Sequence, residues 1–306
     1  MIVVVTGGAG FIGSHLSEAL LAAGAIVHVI DNLSSGYRAN IPSGAVLHET
    51  DIRSPEARSL IAGIRPEAVY HLAAQADVQR SLADPAEDAS VNVKGTLNML
   101  KASSEAGVRK FVFASTSAVY GNVAKDVVSE REKAEPMSFY GLSKRTAEQY
   151  IRIYSHLYGL DYTILRYGNV YGPRQTPKGE GGVVAVFLDR LRRAVPPTVH
   201  GDGEQTRDFV YVKDIVAANL AAFARGARET LNVGTGRATS VNELLRLLEQ
   251  CRGAPIACRH APARAGDIRH SRLDPRRARR VLRWESVYDT AAGIAETYAS
   301  TLPSSR

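Results

Sequence analysis

The chain has 306 residues, 45% of them hydrophobic, and a formal net charge of +7. This length exceeds the usual ~100–200 residues of one domain, so we expect one large domain or two closely associated domains. The two cysteines, Cys251 and Cys258, are too few for a disulfide framework and have no metal-ligating company, which excludes disulfide-rich and zinc-stabilised folds.

The first predicted elements lie around a glycine-rich stretch. A β-branched run breaks into glycines within Ile2 to Gly13, which predicts a buried strand and a tight turn. An amphipathic run closed by Gly24 predicts a helix, and a second apolar run ends at Asp31. In the dinucleotide-binding arrangement, such glycines let the backbone approach a pyrophosphate, which the helix N-terminus attracts. Asp31 is then placed to accept hydrogen bonds from a ribose hydroxyl.

Strand and helix patterns alternate through the first half of the chain. The alternation predicts parallel βαβ units, and therefore an α/β protein with a doubly wound parallel Rossmann sheet. Two long helices are predicted at 88–107 and 139–158, the second with Ser138 as its N-cap. Ligands bind at the carboxyl ends of such strands. The residues at predicted strand ends are Asp31, Asp51, Ala73, Thr116 and Tyr167.

The pattern changes after Tyr167, where glycine and proline turns separate short strands and helices. This predicts a second, smaller α/β domain that holds the substrate. We expect a dinucleotide-binding domain over 1–170, which the chain rejoins near 208–228, and a substrate domain over 171–306.

Arginines are concentrated between Arg259 and Arg283. A nucleic-acid-binding patch is one interpretation, but no aromatic residues interleave with these arginines, which favours a solvated helix face and contacts to a diphosphate. We therefore expect no nucleic-acid partner. No run is long and apolar enough to span a bilayer, and the N-terminus lacks a basic leader. We expect a cytoplasmic protein that does not associate with membranes.

Tyr140 and Lys144 are four residues apart in a predicted helix and therefore share one face. A lysine ammonium favours phenolate, and a tyrosine tuned in this way can take a proton from an alcohol near neutral pH. The same spacing occurs on ordinary surface helices. However, the hydroxyls of Ser115, Thr116 and Ser117 follow the preceding strand, where they could bridge a substrate oxygen and the tyrosine. We predict Tyr140, Lys144 and Thr116 as catalytic residues.

Further motifs make the chain resemble the extended short-chain dehydrogenase/reductase superfamily over nearly its whole length. In the first half they are Thr6 to Gly13, Asp31 to Leu33, Asp51-Ile52, His71 to Ala74, Asn92 to Thr96, Ser115 to Gly121 and Tyr140 to Lys144. In the second half they are Arg166 to Arg174, Arg207 to Val212 and Arg264 to Asp267. The second set is similar to the nucleotide-sugar branch, and the overall likeness is to short bacterial UDP-glucose 4-epimerases.

The resemblance implies roles for individual residues. Tyr140 would be the acid/base, Lys144 its tuner and Thr116 the bridge to the sugar 4-OH. The residues implied to bind the cofactor, NAD, are Gly7, Gly10, Phe11, Ile12, Gly13, Asp31, Asn32, Asp51, Ile52, Ala73, Lys144 and Tyr167. The residues implied to bind the UDP-sugar, besides Thr116 and Tyr140, are Asn169, Arg207, Arg264, Asp267 and Ser271. No metal is implied. For Arg207 and Arg264, surface ion pairs are the alternative to diphosphate contacts.

Enzymes of the nucleotide-sugar branch share oxidation at sugar C4 and differ in the fate of the resulting 4-keto sugar. The dehydratases that the chain resembles carry two acids after the threonine, and UDP-glucuronate decarboxylases carry a glutamate at the second place. This chain has Ser117 and Ala118 there, so elimination of the 6-OH lacks its acid/base. The resemblance therefore implies 4-epimerisation of a UDP-hexose, UDP-glucose or UDP-galactose, through a transient 4-keto sugar.

Two other functions remain open from the sequence. One is a different enzyme on the same scaffold, either a UDP-glucuronate epimerase or a 4-keto reductase. The other is a non-catalytic dinucleotide sensor, which would be expected to lose the Tyr140–Lys144 pair that this chain retains.

The resemblance also implies substrate range, cofactor choice and assembly. The position of Ser271 lies beside the sugar in this family, and a small residue there implies that N-acetyl hexoses are accepted. Asp31 would repel a 2′-phosphate, which favours NAD over NADP, although Arg38 follows within reach. The helices at 88–107 and 139–158 resemble the pair that forms a four-helix homodimer interface, although they could equally just cover the sheet.

Overall fold

Seven parallel strands form the main sheet of the protein. The structure is a computed structural model that describes residues 1–177, 182–263 and 269–302. The strands are β1 (Ile2–Thr6), β2 (Ile26–Asp31), β3 (Val46–Glu49), β4 (Ala68–His71), β5 (Lys110–Thr116), β6 (Asp161–Tyr167) and, later in the chain, β11 (Glu229–Val233). Their order is β11-β6-β5-β4-β1-β2-β3, and the predicted Rossmann-type parallel sheet is confirmed.

Helices cover both faces of this sheet, as expected for right-handed βαβ units. The helices in the first part of the chain are α1 (Phe11–Ala22), α2 (Pro55–Ile64), α3 (Val78–Ala83), α4 (Pro85–Ala89), α5 (Gly95–Glu105) and α6 (Phe139–Tyr158). On one face, α1 packs beside α8 (Val212–Ala224), and their Leu16, Leu20 and Ala218 join a buried cluster. On the other face, α2, α5 and α6 bury Ile61, Met99 and Ile151.

The helix predicted over 88–107 differs from the structure at its start and in its middle. It begins at Pro85, because Asp84 accepts a hydrogen bond from the Glu87 amide and acts as its N-cap. A π-helical turn, Ser90–Lys94, joins α4 to α5. In contrast, α6 has the predicted bounds, and the Ser138 hydroxyl accepts a hydrogen bond from the Gly141 amide at its N-terminus.

The later part of the chain contributes to both the sheet and a smaller α/β unit. Strand β11 pairs with β6, Leu231 opposite Leu165, so the return to the main sheet extends beyond the expected 208–228. The smaller unit has a core that includes Phe187, Leu244 and Ile294. Its elements are β7 (Asn169–Tyr171), α7 (Val183–Arg192), β8 (Thr198–His200), β9 (Thr206–Arg207), β10 (Phe209–Tyr211), β12 (Thr239–Ser240), α9 (Val241–Arg252), β13 (Arg259–Ala261) and α11 (Thr290–Ala299). Helix α10 (Arg276–Leu282) instead packs against β11 and α8, and its Ala278 and Leu282 join the buried cluster of the main sheet.

The described ranges contain no helix with the length and apolar character needed to cross a bilayer. In the same ranges no three side chains of metal-ligating type cluster together. Cys251 and Cys258 are both free thiols.

Candidate functional site

A cavity of about 440 Å³ opens beside the carboxyl ends of β1, β2, β4, β5 and β6. The candidate residues that line it are Gly7, Gly10, Phe11, Ile12, Gly13, Asp31, Asn32, Asp51, Ile52, Ala73, Thr116, Tyr140, Lys144, Tyr167 and Asn169. All the residues that the sequence assigns to the cofactor or to catalysis therefore meet in one place, as expected for a parallel sheet.

The glycine loop makes one wall of the cavity by close backbone packing. Gly7 has φ +73°, and a Cβ atom there would lie 2.7 Å from the Ala73 nitrogen. A Cβ atom on Gly13 would collide with the Gly7 carbonyl oxygen. Gly10, the N-cap of α1, has no side chain to accept hydrogen bonds from the amides of the first helical turn. Residues of that turn, Phe11 and Ile12, line the cavity. This geometry suits a bound phosphate group.

Acidic side chains lie at the ends of β2 and β3. The Asp31 carboxylate accepts hydrogen bonds from the Ala9 amide at 2.9 Å and the Leu33 amide at 2.8 Å. Burial raises the pKa of Asp31, although these amides oppose the change. A carboxylate offers about four lone-pair sites, so Asp31 retains capacity for a ribose hydroxyl.

Asp51 is held in place by Arg53, a residue that the sequence motifs did not single out. The Arg53 guanidinium donates to both Asp51 oxygens, at 2.9 and 2.8 Å, and to both Glu87 oxygens, at 3.1 and 3.0 Å. Asn32 donates to Asp51 at 2.9 Å. The hydrogen bonds from Arg53 lower the pKa of Asp51 to about 2. Arg53 also lines the cavity. Its position directly after the Asp51-Ile52 motif is the sequence feature that could have identified it as a site residue.

Helix α6 presents Tyr140 and Lys144 to the cavity across from Thr116. The Lys144 ammonium donates to the Ala114 carbonyl at 3.0 Å and lies 4.9 Å from the centre of the Phe113 ring. Lys144 is buried, whereas Tyr140 and Thr116 are half-buried. The Thr116 hydroxyl accepts a hydrogen bond from the Ala118 amide at 3.1 Å. The arrangement places a cation, a phenol and an alcohol in a partly dry cleft, which is the composition of an acid/base site.

His71 lies at the end of β4 in contact with two threonines and close enough to Lys144 to feel its charge. Its Nδ1 is 2.8 Å from the Thr6 hydroxyl, and its Nε2 is 3.0 Å from the Thr96 hydroxyl. Burial, with a smaller effect from Lys144, lowers the pKa of His71 to about 3. His71 is therefore neutral near pH 7, and it adds no positive charge beside Lys144.

Asn92, in the π-helical turn, ties the cavity wall to α6. Its side chain exchanges two hydrogen bonds of 2.9 Å with the backbone of Gln75, which lines the cavity. It also donates to the Ser143 hydroxyl at 3.0 Å, one residue before Lys144. Asn92 lies in a motif that carried the family resemblance, but its bonding partners depend on the tertiary structure.

Tyr167 lines the cavity, but its hydroxyl is 3.0 Å from the Asn219 side-chain oxygen in the core below the sheet. The Tyr167 hydroxyl is therefore engaged in a hydrogen bond inside the core.

Several predicted substrate residues lie elsewhere or outside the described ranges. Arg207 donates to the Thr206 carbonyl at 2.8 Å, and the Ser271 amide donates to the same carbonyl at 3.2 Å. Neither of these two residues is among the lining residues of the cavity. Arg264 and Asp267 lie outside the residues that the structure describes.

Comparisons with known proteins match most of the chain in the case of the family model and nearly all of it in the case of individual relatives. The model of the NAD dependent epimerase/dehydratase family matches residues 3–234. The UDP-glucose 4-epimerase of Mycolicibacterium smegmatis is 43% identical over 301 residues, which cover 96% of each protein. The UDP-glucose 4-epimerase of Thermotoga maritima, solved with UDP-glucose, has a TM-score of 0.95 at 44% identity and 98% coverage of both chains. The UDP-glucose 4-epimerase of Thermus thermophilus in complex with NAD has a TM-score of 0.92 at 41% identity, covering 98% of this chain and 99% of that one.

Proposed function

The chain belongs to the NAD-dependent epimerase/dehydratase family, and from this membership we propose that it catalyses NAD-dependent 4-epimerisation of a UDP-hexose. Membership confirms the family resemblance seen in the sequence, and NAD is the predicted cofactor. The observation that carries the proposal is the full-length match to enzymes named UDP-glucose 4-epimerase, one of them solved with UDP-glucose.

The residues around the cavity fit NAD. The contacts around Gly7 and Gly13 leave no room for side chains where a pyrophosphate would approach the start of α1. Asp31 would hold the adenosine ribose, and Asp51 and Ile52 would border the adenine. Bound NAD supplies a reversible hydride acceptor. An anionic Asp31 disfavours the 2′-phosphate of NADP by like-charge repulsion.

In the proposed mechanism Tyr140 is the acid/base. As a phenolate it takes the proton of the sugar 4-OH, and as the resulting phenol it later returns a proton to the C4 oxygen, while Thr116 holds the same oxygen by a hydrogen bond. The positive charge of Lys144 favours the phenolate, and the bond to the Ala114 carbonyl fixes the position of that charge. A 4-keto sugar that turns over before reduction gives the epimer.

The residues after Thr116 support epimerisation over elimination. Ser117–Tyr120 forms a 3-10 turn with no carboxylate, so the positions at which the dehydratases carry their acids offer no acid/base for loss of a 6-OH. The presence of both Tyr140 and Lys144 argues against a non-catalytic sensor.

We propose that the UDP end of the substrate is bound by Asn169, Arg207, Arg264 and Asp267, as the family resemblance implies. Arginine suits a diphosphate because its planar fork matches phosphate oxygens.

Ser271 is proposed to admit N-acetyl hexoses, because a larger side chain would overpack the pocket, which typically costs ~1–3 kcal/mol. Ser271→Tyr should depress activity on UDP-GlcNAc while sparing UDP-galactose. Equal loss of both activities would contradict this role for Ser271.

We also propose that the enzyme is a homodimer. Helix α6 buries Ala147 and Ile151 but exposes an apolar stripe, which needs a partner. The stripe consists of Phe139, Leu142, Tyr150, Ile153 and Leu157.

A cytoplasmic location is also part of the proposal, and it is supported by the two free thiols.

The test of the reaction is product analysis by NMR. UDP-glucose, UDP-GlcNAc and UDP-glucuronate are each incubated with the purified enzyme without added reductant. Conversion of UDP-glucose to UDP-galactose is expected. Conversion of UDP-glucuronate alone, or of no sugar, would contradict the proposal.

A further inference from the structure

Beneath the catalytic side chains lies a buried carboxylate that the proposed mechanism does not use. Glu148 is 0% exposed and comes after Tyr140 and Lys144 at intervals of eight and four residues on α6. It is therefore on the same helical face, two turns and one turn further along.

Glu148 joins α6 to the ends of two neighbouring strands. One carboxylate oxygen accepts from the Ser115 hydroxyl at 2.7 Å and from Arg166 Nε at 2.8 Å. The other accepts from Arg166 Nη2 at 2.6 Å. Ser115 and Arg166 are register partners on β5 and β6. Ser115 directly precedes Thr116, so the carboxylate holds the backbone next to the proposed bridging hydroxyl.

A second contact acts one residue earlier on β5. Lys144 donates to the Ala114 carbonyl, so Lys144 and Glu148 bind consecutive residues of the strand from consecutive turns of the helix. Two such contacts restrain α6 from sliding along β5. Sliding of the helix would change the separation of the Tyr140 and Thr116 hydroxyls.

The carboxylate is ionised at neutral pH. Burial opposes ionisation of Glu148, but hydrogen bonding and charge from Arg166 outweigh burial and lower its pKa. The partly exposed Arg145 and Arg152 also donate to Glu148 Oε2, at 3.0 and 3.3 Å. This is the oxygen that accepts from Arg166 Nη2. A buried ion pair is weak evidence for stability, because desolvation offsets the attraction. Its geometry is therefore the better guide to its role.

We propose that Glu148 is a positioning residue, which through Ser115 sets the distance between the Tyr140 and Thr116 hydroxyls. This inference rests on the proposed role of Tyr140. Because the Ser115 hydroxyl spends its only donor on Glu148, Ser115 also cannot donate a hydrogen bond to the sugar oxygen in place of Thr116.

The experiment measures kcat, substrate KM and bound NAD in variants of the full chain. Ser115→Ala removes the hydroxyl without stranding a charge, and kcat should fall about tenfold, as for one lost hydrogen bond to a charged group. Glu148→Gln should lower kcat about 100-fold, the usual cost of ~1 Å misplacement. For both variants KM and NAD content should stay near wild type. The rise of reduced-nicotinamide absorbance after mixing with UDP-sugar should slow in parallel with kcat.

Arg145→Gln is the matched control, because it removes a contact to Glu148 that does not reach β5, and its kcat should stay within about twofold of wild type. Adding Ser115→Ala to Glu148→Gln should lower kcat by less than the roughly tenfold expected for Ser115→Ala alone, because both changes act on the same connection between α6 and β5. Unchanged kcat in Ser115→Ala, or a loss expressed in KM or NAD content, overturns the positioning role. Tyr140→Phe is assayed alongside, since high activity in that variant would instead overturn the proposed mechanism.

Discussion

The phenol of Tyr140 is the group on which the proposed chemistry depends most directly. Tyr140→Phe removes one hydroxyl and keeps the ring, so the fold and bound NAD should be retained. We expect kcat to fall by ~10²–10⁴-fold, the usual contribution of an acid/base group. Steady-state assays with UDP-galactose, together with absorbance of released cofactor, measure both quantities.

Tyr158→Phe provides the matched control for that substitution. Tyr158 is the last residue of the same helix, is exposed and lies outside the apolar stripe and far from Lys144. Its activity should match the wild type. Comparable activity in Tyr140→Phe would remove Tyr140 from the mechanism, and loss of NAD in that variant would show a role in cofactor binding.

The glycine loop that lines the cavity requires a residue without a side chain at Gly7. Gly7→Ala must adopt φ +73° and place Cβ 2.7 Å from the Ala73 nitrogen. The left-handed conformation alone costs ~1–2 kcal/mol, so we expect a lower unfolding free energy and little co-purified NAD. Urea unfolding and nucleotide extraction measure the two effects.

Gly63 in α2 offers a control for the same chemical change. A Cβ atom at Gly63 would meet no atom within 4 Å. Gly63→Ala should therefore be neutral or stabilise the protein by ~0.4–1 kcal/mol. Similar destabilisation in both alanine variants would contradict the steric explanation.

Arg53 links the end of β3 to the start of the helix that begins at Pro85, through Asp51 and Glu87. Because the folded pKa of Asp51 is about 2, below its ordinary value, the pair stabilises the fold above the ordinary pKa. That contribution is lost as pH falls from ~4 towards ~2. Arg53→Gln should lower the unfolding free energy at about pH 7 by no more than ~1 kcal/mol, since the pair is partly exposed.

The pH dependence of this difference is the decisive measurement. Urea unfolding of wild type and Arg53→Gln at about pH 7 and about pH 3 should show the difference shrinking on acidification. A difference that persists at the lower pH would place the effect of Arg53 in packing. Arg58→Gln, which breaks an exposed pair with Glu105, should cost less at neutral pH.

Local signals predicted some elements fully and others only in outline. The bounds of α6 follow from its periodicity and the Ser138 cap, both of which are local. The π-helical turn at Ser90–Lys94 was not predictable, because Asn92 bonds to Gln75 and Ser143 from distant segments.

Candidate site residues show the same division. The carboxyl ends of parallel strands lie at one edge of the sheet, so the sequence could predict that Asp31 and Thr116 line one cavity. Tyr140 joins them from the helix that follows β5. The orientation of the Tyr167 hydroxyl depends on Asn219 of α8, which no local pattern indicates. Membership of β11 in the main sheet likewise depends on pairing with β6, a non-local contact.

The assembly of two chains would place the exposed stripe of α6 at a shared interface. Ile153 and Leu157 are 51% and 61% exposed, and Leu82 of α3 adds to the apolar surface at 51%. An isologous dimer brings the same face of each copy together, so one substitution acts twice. Ile153→Glu would bury two charges, and a cost of about 3 kcal/mol raises the dimer Kd more than ~100-fold.

Sedimentation velocity at micromolar concentration should therefore show a dimer for the wild type and a monomer for Ile153→Glu. Val287→Glu is the matched control, because Val287 is 77% exposed just before α11, away from α6, and this variant should remain dimeric. A wild type that sediments as a monomer would contradict the dimer itself. A dimer that persists in Ile153→Glu would place the interface on another face, and the stripe on α6 would then need a different partner.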